Sequence, residues 1–216
     1  MVLEIIAKRH SERCFSDELP TDNQIDEILE AAYLAPSWLN VQPWHFIIVK
    51  NQANKDLLAK LSHGQPHVSQ APVVIVCCGD LGAWEYKNYK KTLKQRPDIT
   101  DERINQILSN SLLNPTMMNE QTVFTRTLEQ IPYAIAYMTI EAHNQGLSSC
   151  IIGNIANEIT KSTPEVYQDV KKALNLPQNM FILSLLLLGY PASKSNTRKI
   201  RKLRTEVISK ETYSEK

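Results

Sequence analysis

Apolar residues recur along this chain in two rhythms, and the switches between them mark out the elements. Thr21 with Gln24 three residues later forms a capping box. Ile25, Ile28, Leu29 and Ala32 then follow at helical spacing, and Pro36 ends the run. Val2 to Lys8 reads as a short helix with Leu3, Ile6 and Ile5 turned inward. His45–Lys50 reads as a strand, and Leu57, Leu58 and Leu61 share one face of a helix. Val73–Cys78, VVIVCC, has no polar step at all, as a strand covered on both faces requires. The stretch from Gly82 to Thr127 is polar and uneven. One helix shows in it, Asp101 to Leu113, through Ile104, Ile107 and Leu108. Ile131–Gln145 is helical and apolar nearly all round, which predicts burial. Pro132 fits its first turn, and Gly146 ends it. Ser149–Ile152 is a strand. Pro164–Asn175 is a helix with Thr163 as cap. Phe181–Gly189, FILSLLLLG, falls well short of the roughly 20 apolar residues a membrane helix needs, so it reads as a buried strand.

Helices thus alternate with at least four strands, in an α/β or α+β arrangement. No repeat or linker divides the chain, so residues 1–216 are expected to form one domain. The formal net charge of +1 gives no overall field to recruit nucleic acid or a membrane surface. The start, MVLEIIAKRHSER, is too charged for a signal peptide, which predicts a cytoplasmic protein. Cys14, Cys77, Cys78 and Cys150 show no metal-ligand spacing and read as buried thiols.

Absences narrow the chemistry. The six glycines spell neither a G-x-G-x-x-G turn nor a P-loop. There is no G-x-S-x-G elbow and no H-E-x-x-H helix. An anionic cofactor, if bound, must be held by arginines, hydroxyls and loop amides.

Three segments supply such groups. Arg9, His10, Ser11 and Arg13 gather cations, an imidazole and a hydroxyl just past a helix, the mixture a phosphate monoester wants. The same residues also suit a solvated helix end. Ala35–Val49, APSWLNVQPWHFIIV, offers the Asn40 and Gln42 amides to the edge of a heteroaromatic ring; it also reads as an ordinary helix-to-strand loop. Thr197–Arg204, TRKIRKLR, is a basic run of the kind that forms solvated faces. No nucleic-acid module accompanies it, and Lys199 and Arg201 could meet one phosphate.

Taken in order, these segments resemble the nitroreductase family. The resemblance rests on RHS-x-R-x-F from Arg9, APS-x-x-N-x-QPW-x-F from Ala35, GL-x-SC-x-IG at Gly146–Gly153, and GYP followed by Lys-x-Arg at Gly189–Arg201. It implies an α+β, three-layer fold, with a central mixed sheet flanked by helices and a C-terminal tail exchanged in a homodimer. It implies FMN at the dimer interface. Arg9, Ser11, Lys199 and Arg201 match positions holding the phosphate, with His10 beside them, and Arg13 a cation at the pyrimidine edge. Pro36, Ser37, Trp38 and Asn40 match the segment that reaches the flavin from the other subunit. Gln65 resembles a glutamine at the ring edge. Ile151, Ile152 and Gly153 match the loop whose amide approaches the ring. Asn154, Trp38 and Leu39 depart from commoner family residues, and Gly82–Thr127 matches nothing recognisable, which bears on substrate choice.

The implied activity is transfer of reducing equivalents from NADPH or NADH through FMN to nitroaromatic, quinone or enone acceptors by ping-pong turnover, with no protein acid or base. Two alternatives stand beside it. One is a specialised relative such as a reductive dehalogenase or flavin-fragmenting enzyme; the other is a non-enzymatic flavin-binding or redox-responsive protein. Trp84, Tyr86 and Phe124 are candidates for a lid, or for a small core under a long connection.

Overall fold

The structure, a computed structural model, describes residues 3–193 and 199–213. Val2, Thr197 and Arg198, which figure in the expectations above, lie outside them. Two almost wholly apolar strands, broken only by Ser184 in one and by a closing Asp80 in the other, take the centre of the sheet, because only there are both faces covered. They are β2 (Val73–Asp80) and β4 (Met180–Gly189). The edges are β1 (Trp44–Val49), which keeps exposed positions, and β3 (Ser148–Ile152). The order is β1-β2-β4-β3, and every named pair is antiparallel. The mixed character expected of the sheet rests on one parallel bridge, Ser11 to Ser149.

Successive residues of β2 point to opposite layers. Val74, Val76 and Cys78 enter a core with Leu58 and Leu61 of α3 (Gln52–Leu61), Val68 of α4 (Pro66–Gln70), and Tyr167 and Val170 of α9 (Pro164–Ala173). Val73, Ile75 and Cys77 enter the opposite core. There they meet Ile25, Ile28 and Ala32 of α2 (Asp22–Tyr33), with Ile135 and Met138 of α8 (Ile131–Asn144). Each such aliphatic side chain contributes roughly 1.5–3 kcal/mol by leaving water. Helices on both faces make the three layers. Thr21 and Gln24 form the capping box, worth about 1 kcal/mol.

Four expectations need correction. α1 spans only Glu4–Lys8, and Leu3 and Ile6 remain 68% and 43% exposed, so they do not turn into this chain's core. α8 buries one face; Tyr133 and Tyr137 on the other are 51% and 42% exposed. Cys14 is exposed, whereas the other three thiols are buried. Thr163 takes a left-handed φ of 39° in place of the extended backbone that aims a cap side chain at the second and third helical amides, and it makes no side-chain cap.

The segment expected to hold one helix holds three: α5 (Tyr86–Leu93), α6 (Asp101–Ser109) and α7 (Glu120–Leu128). They close over a small separate core of Trp84, Tyr89, Leu93, Ile104, Ile107 and Leu108, with Val41. Trp84 is fully buried, and its indole donates to Thr127 Oγ1 at 2.9 Å. Phe124 stacks on Phe181 at 4.7 Å. Neither is free to act as a lid, and of the three aromatics only Tyr86 is exposed. A short α10 (Arg204–Val207) is the last helix among the described residues.

Candidate functional site

Past α1 the chain runs extended along the sheet end. The Glu12 amide donates to Ser149 O at 3.0 Å, the Ser16 amide to Tyr190 O at 2.9 Å, and the Ala192 amide to Cys14 O at 3.0 Å. Extension puts alternate side chains on opposite sides. Arg9 and Ser11 therefore face one way, into a cleft of about 510 Å³. His10 and Glu12 face the other. Glu12 accepts the amides of Arg13 and Cys14 at 2.8 and 2.9 Å, which fixes the segment. His10 Nε2 is buried 3.6 Å from Glu12, too far for a hydrogen bond.

The cleft's walls are apolar. One is α8, through Pro132, Ile135, Ala136 and Thr139; another is the end of β3 with Ile151; Leu183 adds a third. At its rim a Cβ on Gly153 would meet nothing within 4 Å, so backbone there is open to approach. Pleating sends Ile151 outward, 47% exposed, and Ile152 into the core at 4%. Of the two, only Ile151 lends the cleft a side chain.

The charge lies near Arg9. Lys199 Nζ donates to Ile6 O at 2.7 Å. Its pKa is lowered by loss of solvent and by the Arg9 and Arg201 charges beside it. His143, a turn beyond Thr139 on α8, is likewise held below the usual imidazole range by burial, then by His10, Lys199, Arg9 and Lys8. Among the described residues no carboxylate lies within ion-pair distance of Arg9, Lys199 or Arg201. Like charges gathered without a counter-ion cost free energy, and an anion at this spot relieves that cost.

A second group gathers where β3 ends. Gln65 Nε2 donates to Ser62 O at 3.0 Å and reaches Asn154 O at 3.3 Å, next to Gly153. Arg13, exposed, acts electrostatically on both His67 and Cys150. His67 has its pKa lowered by burial and then by Arg13, and its Nε2 is buried without a partner. No motif pointed to His67 or Thr139. The one available signal for Thr139 was a polar residue on an otherwise apolar helix.

The third segment stands apart. Leu39, Asn40 and Gln42 all have left-handed backbones, with φ of 45°, 60° and 49°, and none is glycine. Ser37 Oγ accepts the Gln42 amide at 2.9 Å, and the Gln42 side chain folds back onto Asn40 O at 3.2 Å. The Trp38 amide donates to Gln130 Oε1 at 2.7 Å, and the Arg126 guanidinium lies 4.8 Å from the Trp38 ring centre. Pro36, Ser37, Trp38 and Asn40 do not line the cleft that Arg9, Ser11, Ile151 and Gly153 line.

The donor set fits a phosphate-bearing ring cofactor: uncompensated cations and a hydroxyl at one end, apolar walls beyond, and an open glycine at the rim. Comparison with known proteins agrees. The model of the nitroreductase family matches residues 6–190. The chain belongs to the nitroreductase family. Within reach of this family chain is an FMN reductase [NAD(P)H] of Bacillus subtilis, 29% identical over 98% of this chain and 74% of its own length. An oxygen-insensitive NADPH nitroreductase of Helicobacter acinonychis is 26% identical, over 95% of this chain and 94% of its own. The crystal structure of a nitroreductase-like protein from Streptococcus mutans shares the fold, with TM-score 0.80 and 22% identity over 95% of this chain and 96% of that one. A nitroreductase family protein from Streptococcus pneumoniae superposes with TM-score 0.78 at 25% identity, over 97% and 100% of the two chains. No helix among the described residues is long and apolar enough to cross a membrane.

Proposed function

We propose that this family member is an NAD(P)H-dependent FMN oxidoreductase. It passes reducing equivalents to nitroaromatic, quinone or enone acceptors by ping-pong turnover. It is a cytoplasmic, single-domain chain that works as a homodimer with its sites at the interface. The observation that carries this reading is a group of cations without counter-ions among the described residues: Arg9 at one end of an apolar cleft, with the Lys199 and Arg201 charges beside it. Relatives named as FMN reductases and NADPH nitroreductases support it.

In this reading Arg9, Ser11, Lys199 and Arg201 hold the phosphate, with His10 behind them. The apolar side chains of α8 and Ile151 exclude water from one side of the ring. Gly153 and the backbone of Ile152 come close to it because no side chain intervenes, and Gln65 steadies the Asn154 carbonyl beside them. Arg13 supplies positive charge at the ring's pyrimidine edge. Pro36, Ser37, Trp38 and Asn40 complete the site of the other subunit. A bound flavin supplies two-electron chemistry between a nicotinamide and an acceptor; the protein contributes binding, orientation and electrostatics. No side chain is assigned as acid or base. The exposed apolar residues Leu3, Ile6, Tyr133 and Tyr137, with Ile200, Leu203 and Val207 of the tail, support burial against a second copy and an exchanged tail.

The test is to release the chromophore of the purified protein by heat, then to follow anaerobic oxidation of NADH and of NADPH with a nitrofuran. FMN and nucleotide oxidation dependent on it are expected. Release of FAD, or a colourless protein that ignores added FMN, sinks the reading.

A further inference from the structure

A turn with several left-handed, non-glycine residues does not hold itself. Leu39, Asn40 and Gln42 each sit where an L-residue rarely goes, and such conformations persist only where the surroundings over-determine them. Within the turn, Ser37 Oγ holds the Gln42 amide. From outside, Trp38, Leu39 and Val41 pack on the small core around Trp84, and the backbone of the turn is held by Gln130, 2% exposed, which accepts the Trp38 amide at 2.7 Å. Its own amide group donates to Arg126 O, one turn earlier. Arg126 in turn lies over the Trp38 ring and is paired with Glu129 at 2.7 Å. Gln130 also immediately precedes α8, and Pro132, two residues on, lines the cleft.

We infer that Gln130 is a positioning residue that sets the backbone of the Ser37–Gln42 turn, with Arg126 pinning the Trp38 ring from the same side. This rests on the reading of that turn as part of the flavin site. Gln130 does not touch the reacting groups. It ties the turn to the start of the helix that walls this chain's own cleft.

Three full-length variants separate this role from plain packing. Gln130→Leu keeps the volume and removes the acceptor. Gln130→Glu keeps an acceptor oxygen for the Trp38 amide and, in the protonated form that burial favours, a donor for the Arg126 carbonyl. Val170→Ala removes buried aliphatic volume in the core on the opposite face of the sheet, away from the turn. Flavin affinity is read by fluorescence titration with FMN, and apoprotein stability by thermal melting. Gln130→Leu is expected to weaken FMN binding about tenfold, as loss of one well-made hydrogen bond allows. It should also raise KM for the acceptor by more than it lowers kcat. Gln130→Glu should restore affinity to within about threefold of the parent. Val170→Ala should lower the melting temperature and leave FMN affinity alone. Unchanged affinity in Gln130→Leu, or equal loss in both Gln130 variants, overturns the inference. Should Gln130→Leu fail to fold, Arg126→Gln decides: a two- to threefold weakening, roughly what one exposed cation–π contact is worth, supports the inference, and no change overturns it. A parent protein that binds no FMN refutes the functional reading instead, so the two failures are distinct.

Discussion

Two regions carry the residues of the expected site, and one chain treats them differently. The Arg9–Arg13 segment joins the sheet end, and with α8, Ile151 and Gly153 it shapes a cleft inside the chain. The Pro36–Gln42 turn is built just as firmly, yet it lines no part of that cleft. The first region is a container within the chain; the second is a largely half-buried turn seated on the small core and held by Gln130. A turn fixed at a cost in backbone strain and unused by its own cleft fits a site completed between two copies. The exposed Tyr133 and Tyr137 on α8, the helix that walls the cleft, point the same way.

The largest expected effect asks whether Trp84, in the small core on which the second region sits, acts on substrate or on packing. Trp84→Ala, at a fully buried indole, should cost about 3–5 kcal/mol of stability. Activity of the molecules that remain folded should fall equally for every acceptor. Thermal melting and turnover with a nitrofuran and a quinone check both halves, and altered acceptor preference without destabilisation would return Trp84 to the role of a lid. Next comes the first region. Arg201→Ala, exposed and far from any core, should weaken FMN binding about tenfold to a hundredfold with the fold intact. Equal affinity in titration would move the phosphate elsewhere.

Arg13→Gln should leave FMN bound and lower its reduction potential by about 30 mV, the equivalent of roughly 1.4 kcal/mol for a two-electron couple. Redox titration against a dye reads this, and a potential that stays or rises removes Arg13 from the pyrimidine edge. The smallest effect concerns pH. His67 and His143 both titrate below the usual imidazole range, through burial first and neighbouring cations second. The unfolded chain therefore takes up these protons before the folded one. Their contribution to stability is present above about pH 6.5 and is lost as pH falls through the lowered values. Melting temperatures at about pH 7.5 and 5.5 should differ less in His143→Gln than in the parent. A difference as large in the variant would mean that His143 lies outside the cationic group.

Much of the first region was legible because its chemistry is local. Arg9, Ser11 and Arg13 stand close in sequence, and the runs Val73–Cys78 and Phe181–Leu188 announce central strands. The capping box at Thr21 and Gln24 and the stop at Gly146 also read directly. The second region and the small core under it were opaque for physical reasons. α5, with the sequence YKNYKKTL, buries only Tyr89 and Leu93 among charged neighbours, so its apolar stripe is too thin to see. The left-handed turn carries no glycine to signal it. Its support, Gln130, lies 92 residues from Trp38 in sequence. Leu3, Ile6 and the outer face of α8 misled in the other direction. Their apolar character is real, but this chain alone does not bury them.

The claim that the cleft of one copy is completed by the turn of another is tested most directly with a mixed dimer. Chains carrying Arg9→Ala with Arg201→Ala are co-expressed with chains carrying Asn40→Ala, and the mixed species is isolated. If the sites are shared, each mixed dimer has one site with every lesion and one with none. Nitrofuran reduction should then recover in part, above both mutant homodimers. No recovery in a verified mixed dimer, or a sedimentation mass near 24.6 kDa with FMN bound, would show that each chain builds its site alone.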